Sequence, residues 1–201
     1  MDQAPTLIYP TPPETLESLR IDPQLKVFRP AELQKNALVG IARLEQGSIV
    51  TAVVEEEIVG YATLHPPDSF ERWGETKLPG ILELGAVESS PRYRSRHLAR
   101  RMLERMFEGG RCEENIVVAT LYYWHYDLEG SGLSTYAYRK LLERLYGSVG
   151  FEVYKTDDPE IAHYPGNALM ARVGSRVSPE LLAEFERLRF LIRWRTQQSA
   201  S

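Results

Sequence analysis

The chain has a single cysteine, Cys112, among 201 residues, which excludes an internal disulfide framework and a thiolate metal cluster built from this chain alone. No apolar run approaches the ~20 residues that a membrane-crossing helix requires. The first residues, MDQAPTLIYPTPPETLE, have an early acid and four prolines where a secretory leader has basic residues and an apolar core. Basic residues are not in excess: 28 Asp and Glu outnumber 24 Lys and Arg, giving a net charge of −4, so the positive footprint of a nucleic-acid binder is missing. The expectation is a cytoplasmic protein with no nucleic-acid or membrane partner. What the chain does have is a 43% apolar content, enough for the core of one domain of this length.

Hydrophobic periodicity sets out the elements. Residues 1–26 are proline-rich and read as an irregular arm. AELQKNALVGIARLEQG places Leu33, Ala37, Ile41 and Leu44 at helical spacing and closes on Gly47. SIVTAVVEE and EIVGYATLHPP form an antiparallel hairpin, and the loop DSFERWGETKLPG exposes aromatics and charges. ILELGAVES is a third strand. From Arg94 a helix carries Leu98, Ala99, Met102, Leu103, Met106 and Phe107 on one face and stops at Gly109-Gly110. NIVVATLYY suits a central strand buried on both faces. The helix STYAYRKLLERLYG, the strands GFEVYK and NALMARVG, and an amphipathic helix capped by Ser178 complete the chain. The fold class is mixed α/β: a central, mostly antiparallel sheet flanked by helices over residues 27–174, with residues 175–201 as a helix docked on the domain or on a partner.

The segment ILELGAVESSPRYRSRHLARRML joins a strand to a helix whose first turns carry Arg94, Arg96, Arg100 and Arg101. A helix N-terminus presents unpaired N–H groups and the positive end of the dipole, so this turn is a candidate anion site. With the order of elements and the later LYGSVGFEVY, it resembles the GCN5-related N-acetyltransferase superfamily, whose fold is an acyl-CoA N-acyltransferase fold. The superfamily's cofactor signature falls on Arg94, His97 and Ala99, with Ser95 and His97 standing where glycines are usual. FRPAELQKNALVGIA, IVGYATLHPPDSFERW, LELGAVESSPRYR, TLYYWHYDLEG and DPEIAHYPGNALMARVG further resemble the acetoin-utilisation protein acetyltransferase family, from about Val27 to Phe190.

That resemblance implies acetyl-CoA as co-substrate, its pyrophosphate held by Arg94, Ser95, Arg96, His97, Leu98, Ala99 and Arg100 and its pantetheine arm beside Val87, Glu88 and Ser89. It also implies a lysine of acetyl-CoA synthetase as acceptor, whose acetylation switches that enzyme off. A lysine ammonium, with a pKa of roughly 10.4, needs a base before it can attack. Glu83 stands where the superfamily's histone acetyltransferases keep theirs, and Glu88 is the second candidate. Tyr146 matches the tyrosine that protonates the departing thiolate. Tyr122, Tyr123, Trp124, His125 and Asp127 follow the buried strand, where aromatic walls would receive the lysine; no metal site is expected. Cys112, beside two acids, and Ser89-Ser90, without a Gly-x-Ser-x-Gly elbow, do not read as nucleophiles. Two other readings remain: transfer to a small amine, and an acyl-CoA-binding regulator that inhibits its partner by docking.

Overall fold

The computed structural model describes residues 3–199, apart from the side chains of residues 94–96 and 199. They form two compact units interleaved along the chain: one runs to His65 and resumes over Leu84–Arg111, and the other comprises Pro66–Glu83 and the chain from Cys112. The class is mixed α/β with mostly antiparallel strand pairs and flanking helices, as expected.

In the first unit the proline-rich start is not irregular. It contributes β1 (Thr6–Ile8), α1 (Pro13–Ser18) and β2 (Arg20–Ile21). β1 pairs antiparallel with β3 (Ser48–Val54), and β2 pairs parallel with the start of β4 (Glu57–His65). Leu16, Leu19 and Ile21 from this start are buried with Leu38, Val39, Ile49, Ile58 and Tyr61, so its apolar residues help form the core. α2 (Ala31–Ala42) ends before the expected Gly47, because its last turn tightens: Arg43 and Leu44 donate to the carbonyls of Gly40 and Ile41, three residues back. Its buried face is also one residue off expectation, with Gln34 and Leu38 inside and Leu33 59% exposed.

The hairpin of β3 and β4 turns on Glu55 and Glu56, both left-handed at φ 48° and 62°, the twist that tight hairpins favour. β5 (Ile81–Ser89) follows β4 in the sheet order, and α3 (Leu98–Phe107) covers β3 and β4 with Leu98, Met102, Leu103 and Met106 fully buried. A Cβ on Gly60 would lie 3.2 Å from both the Glu88 carbonyl oxygen and Met102 Cε, so glycine there lets the helix approach the strand closely. The expected helix start at Arg94 is displaced: Pro91–Arg96 form a 3₁₀ turn, and α3 begins at Leu98.

In the second unit, Ile81–Glu83 of β5 pair parallel with Ile116–Val118 of β6 (Ile116–Leu121). After the short α4 (Leu128–Ser131) and α5 (Thr135–Gly147), β7 (Glu152–Tyr154) forms one edge; past α6 (Pro159–Ala162), β8 (Ala168–Val173) runs antiparallel between β7 and β6. β6 is buried on both faces, as its unbroken apolar run predicts. α7 (Pro179–Arg189) is capped by Ser178, whose Oγ accepts from the Leu181 N–H at 3.2 Å, and buries Leu181, Phe185 and Leu188 against Trp73, Ile81 and Ile116. The final helix is not continuous. It breaks at Phe190 before α8 (Leu191–Ser199), because the Arg189 carbonyl accepts from Thr156 Oγ1 at 2.8 Å, the Asp157 N–H at 3.0 Å and Arg72 Nη1 at 3.1 Å in place of a helical N–H.

Candidate active site

β5 carries both candidate bases, and its alternation separates them. Glu88 points inward and is buried; its Oε1 accepts the Val27 N–H at 3.0 Å and its Oε2 accepts the hydroxyl of Tyr61 on β4. Burial, then the Glu88 charge and hydrogen bond, push the Tyr61 phenol well above its usual range, with Arg29 pulling the other way. Tyr61 therefore stays a donor, and both Glu88 oxygens are engaged.

Glu83 lies half-buried on the opposite face. Burial, then the charge of Glu71 and a hydrogen bond with it, then the charge of Asp68, push its carboxyl up to about 8. A carboxyl in that range can exchange a proton near neutral pH, which an ordinary glutamate does poorly. Glu71 belongs to the FERW loop, where the sequence shows charges and aromatics without indicating that one of them influences Glu83.

The turn after β5 begins at Ser90, whose N–H donates to the Val59 carbonyl at 2.9 Å. Arg92 is committed to structure: its guanidinium binds Asp22 at 2.7 Å and Glu57 at 2.9 Å. Asp22 is buried; burial raises its pKa, but hydrogen bonds from Ser90, Gln24 and Arg92 outweigh that and hold the carboxyl below its usual range. His97 is exposed and left-handed at φ 53°, ψ 29°, the conformation that glycine adopts without strain. Its side chain does not cap α3, and no acidic residue occupies the helix's first turn. The Leu98 side chain is buried, leaving its backbone to offer contacts, while Arg100 is exposed and bound to Glu104 at 2.8 Å. Ala99, Val87 and Ser89 are half-buried. The side chains expected at Arg94, Ser95 and Arg96 lie outside the described residues. An uncapped helix N-terminus free of acids, entered through a left-handed residue, fits a pyrophosphate.

The aromatic stretch follows β6. Tyr122 stacks on Trp124 with ring centroids 4.5 Å apart and meets His125 edge-on at 6.3 Å. The Tyr123 N–H donates to Asn167 Oδ1 at 2.8 Å, and its ring faces Tyr164 at 6.3 Å. Trp124 and Tyr164 are about half exposed, at 49% and 50%. Burial, then the charges of Asp158, Glu160, Glu71 and Glu83, push the Tyr122 phenol up, so the stretch and Glu83 share one negative neighbourhood within this unit. Burial pushes the His125 imidazole down, favouring its neutral form. Asp127 caps α4, accepting the Gly130 N–H at 2.9 Å. Tyr146, on α5, is buried with its ring 5.8 Å from that of Phe151; burial, then Tyr138 and Tyr126, push its phenol up.

Among the described residues no helix is long and apolar enough to cross a membrane, and no three His, Cys, Asp or Glu side chains are grouped to hold a metal ion.

Residues 14–121 match the acetyltransferase (GNAT) family. The acetoin utilization protein AcuA of Bacillus licheniformis is 40% identical over 181 residues, covering 90% of this chain and 86% of that protein. Its namesake from Bacillus subtilis is 40% identical over 185 residues, covering 92% and 88%. The crystal structure of an acetoin utilization protein from Exiguobacterium sibiricum superposes with a TM-score of 0.90 at 38% identity, covering 98% of this chain and all of that one. The chain thus belongs to the GNAT acetyltransferase family, alongside the AcuA proteins, and is an acetyl-CoA-dependent N-acetyltransferase.

Proposed function

We propose that the protein acetylates a lysine side chain of another cytoplasmic protein, and that this protein is acetyl-CoA synthetase, which acetylation switches off. The observation that carries the lysine reading is the combination of a half-exposed aromatic platform at Trp124 and Tyr164 with the acidic side chains of Asp158, Glu160 and Glu71 near Tyr122. A lysine brings what that combination attracts, a long apolar stem ending in a cation. The assignment to acetyl-CoA synthetase rests on the family resemblance and is in keeping with the acetoin-utilization names of the relatives.

Acetyl-CoA supplies a thioester whose acyl carbon is open to an amine. The main-chain N–H groups at the start of α3, with His97, Ala99 and Arg100, and with Arg94, Ser95 and Arg96 by family resemblance, would hold its pyrophosphate. The β5 backbone from Val87 through Ser89 would flank its pantetheine arm. Glu83 takes the proton of the lysine ammonium. Against an amine near ~10.4, a carboxyl near 8 leaves a gap of about two to three pH units, where an ordinary glutamate leaves about six. Glu88, with both oxygens already bonded, supports β5. Tyr146 would protonate the departing thiolate, since a phenol held above its usual range is still protonated at neutral pH. Tyr122, Tyr123, Trp124 and His125 line the lysine's approach, and Asp127 holds their turn.

Intact mass of acetyl-CoA synthetase after incubation with this protein and acetyl-CoA tests the reading. One added acetyl group, lost with Glu83→Gln, is the expected result. Binding of the two proteins with no gain in mass would replace the reading with a docking regulator. Acetylation confined to small amines would remove the protein substrate.

A further inference from the structure

Tyr61, Thr63 and His65 alternate along β4 and so share one face of it. The three meet β5 in turn, all within the first unit. Tyr61 donates to Glu88, and the Thr63 hydroxyl accepts the Ala86 N–H at 2.9 Å. His65, the last residue of β4, comes to Gly85: a Cβ there would collide with the imidazole Nε2 and lie 3.3 Å from its Cδ2 and 3.1 Å from Thr63 Oγ1. Glycine at this position lets the ring lie against the β5 backbone. Thr63 is buried and fixes this end of β4, whereas His65 is half-buried and Gly85 exposed, so a bound molecule can reach both.

In the proposed cofactor placement the pyrophosphate lies at the start of α3 and the pantetheine arm beside Ser89 and Val87. The cofactor then runs back along β5, and its thioester end comes next, toward Gly85. Transfer to an amine also needs more than one deprotonation. The ammonium nitrogen starts with three hydrogens and the amide keeps one, so two protons must leave it. Glu83 takes the first, before attack. The second becomes acidic only once the nitrogen has bonded to the acyl carbon, at the thioester itself.

We propose that His65 is a catalytic residue that takes this second proton at Nε2. An imidazole accepts and releases a proton near neutral pH, as the step requires. The inference rests on the cofactor placement along β5 and on amine acetylation, and not on which protein carries the amine. The nitrogen lone pair bonds to the acyl carbon and the carbonyl π pair moves to oxygen, leaving a nitrogen with two hydrogens and a positive charge. One of those protons passes to His65. The oxygen pair re-forms the carbonyl, the C–S bond breaks, and its electron pair departs with sulfur, which takes a proton from Tyr146. Glu83 and His65 each release a proton to solvent and Tyr146 takes one back, so one proton is released per amide formed.

The test is acetylation of acetyl-CoA synthetase by the wild type, His65→Gln and His65→Ala, with and without added imidazole. Both variants should lose about 100-fold or more in kcat, the scale of general acid–base catalysis, with KM for acetyl-CoA unmoved. Added imidazole should restore part of the turnover of His65→Ala. A kcat close to that of the wild type in His65→Ala overturns the inference and leaves Glu83 as the base. A loss that imidazole does not restore makes His65 structural and overturns it too. NMR of the imidazole gives an answer that needs no acceptor. The His65 ring signals, identified by their loss in His65→Gln, should move further on binding acetyl-CoA than on binding coenzyme A, because the ring meets the acetyl end. Equal movement overturns the inference. Unequal movement, in a wild type that leaves the synthetase unmodified, supports it and removes only the proposed acceptor.

Discussion

Tyr61 on β4 gives its hydroxyl hydrogen to Glu88 on β5, and the same carboxylate takes the Val27 N–H at 3.0 Å. One buried carboxyl thus ties two neighbouring strands to the segment that leads into α2. Replacing Tyr61 with Phe removes a hydrogen-bond donor to the buried Glu88 carboxyl. The expected loss is about 1–3 kcal/mol, read as a lower urea midpoint at unchanged slope.

Glu83 gives a pH dependence of the opposite sign to that of a salt-bridged acid. Its folded-state value, near 8, lies above its unfolded one, so the native protein binds the extra proton. Its contribution to stability is full below the unfolded value and is lost as pH rises toward and through about 8. The melting temperature of the wild type should therefore fall relative to that of Glu83→Gln between mildly acidic and alkaline pH. Parallel curves for the two proteins would contradict the raised value.

Trp124 is half exposed and stacked on Tyr122 at 4.5 Å. As part of the lysine's approach, it should bind the acceptor and leave the acyl donor alone. Trp124→Ala is expected to raise KM for the protein acceptor by roughly tenfold or more, the scale of an aromatic hot spot, with KM for acetyl-CoA unchanged in steady-state kinetics.

His97 holds a left-handed backbone that favours glycine. His97→Gly relieves roughly 1 kcal/mol of strain and adds a similar loss of unfolded-state restriction, so thermal stability should change little. Calorimetry with coenzyme A separates the two roles of the residue: tighter binding means that the imidazole obstructs the phosphates, and weaker binding means that it contributes to holding them.

The parts of the fold legible in the sequence are those with strong local patterns. The Val-rich hairpin, the apolar run of β6 and the Ser178-Pro179 helix start all formed where expected. Ser90-Pro91 carries the same helix-start signal as Ser178-Pro179, yet it opens a 3₁₀ turn, because His97 turns left-handed before α3 begins. Alternation along β5 put Glu83 and Glu88 on opposite faces without telling which face is core; that depends on Tyr61, 27 residues earlier. Arg92 begins the same basic turn, and its partners Asp22 and Glu57 are 70 and 35 residues away, beyond the reach of a local pattern. In the same way, the FERW loop is anchored by Arg72 to Asp157, 85 residues on.

β5 changes unit partway along its length, with Ile81–Glu83 counted in one unit and its remainder in the other. The chain enters the second unit at Pro66, leaves it after Glu83 and returns at Cys112, so no single cut yields either unit whole. A nick in the FERW loop would leave the first unit without Leu84–Arg111 on one side of the break. Recombination with a relative at one crossover would likewise mix half of each unit. Exchanging either unit with a relative would therefore take paired segments in place of one crossover.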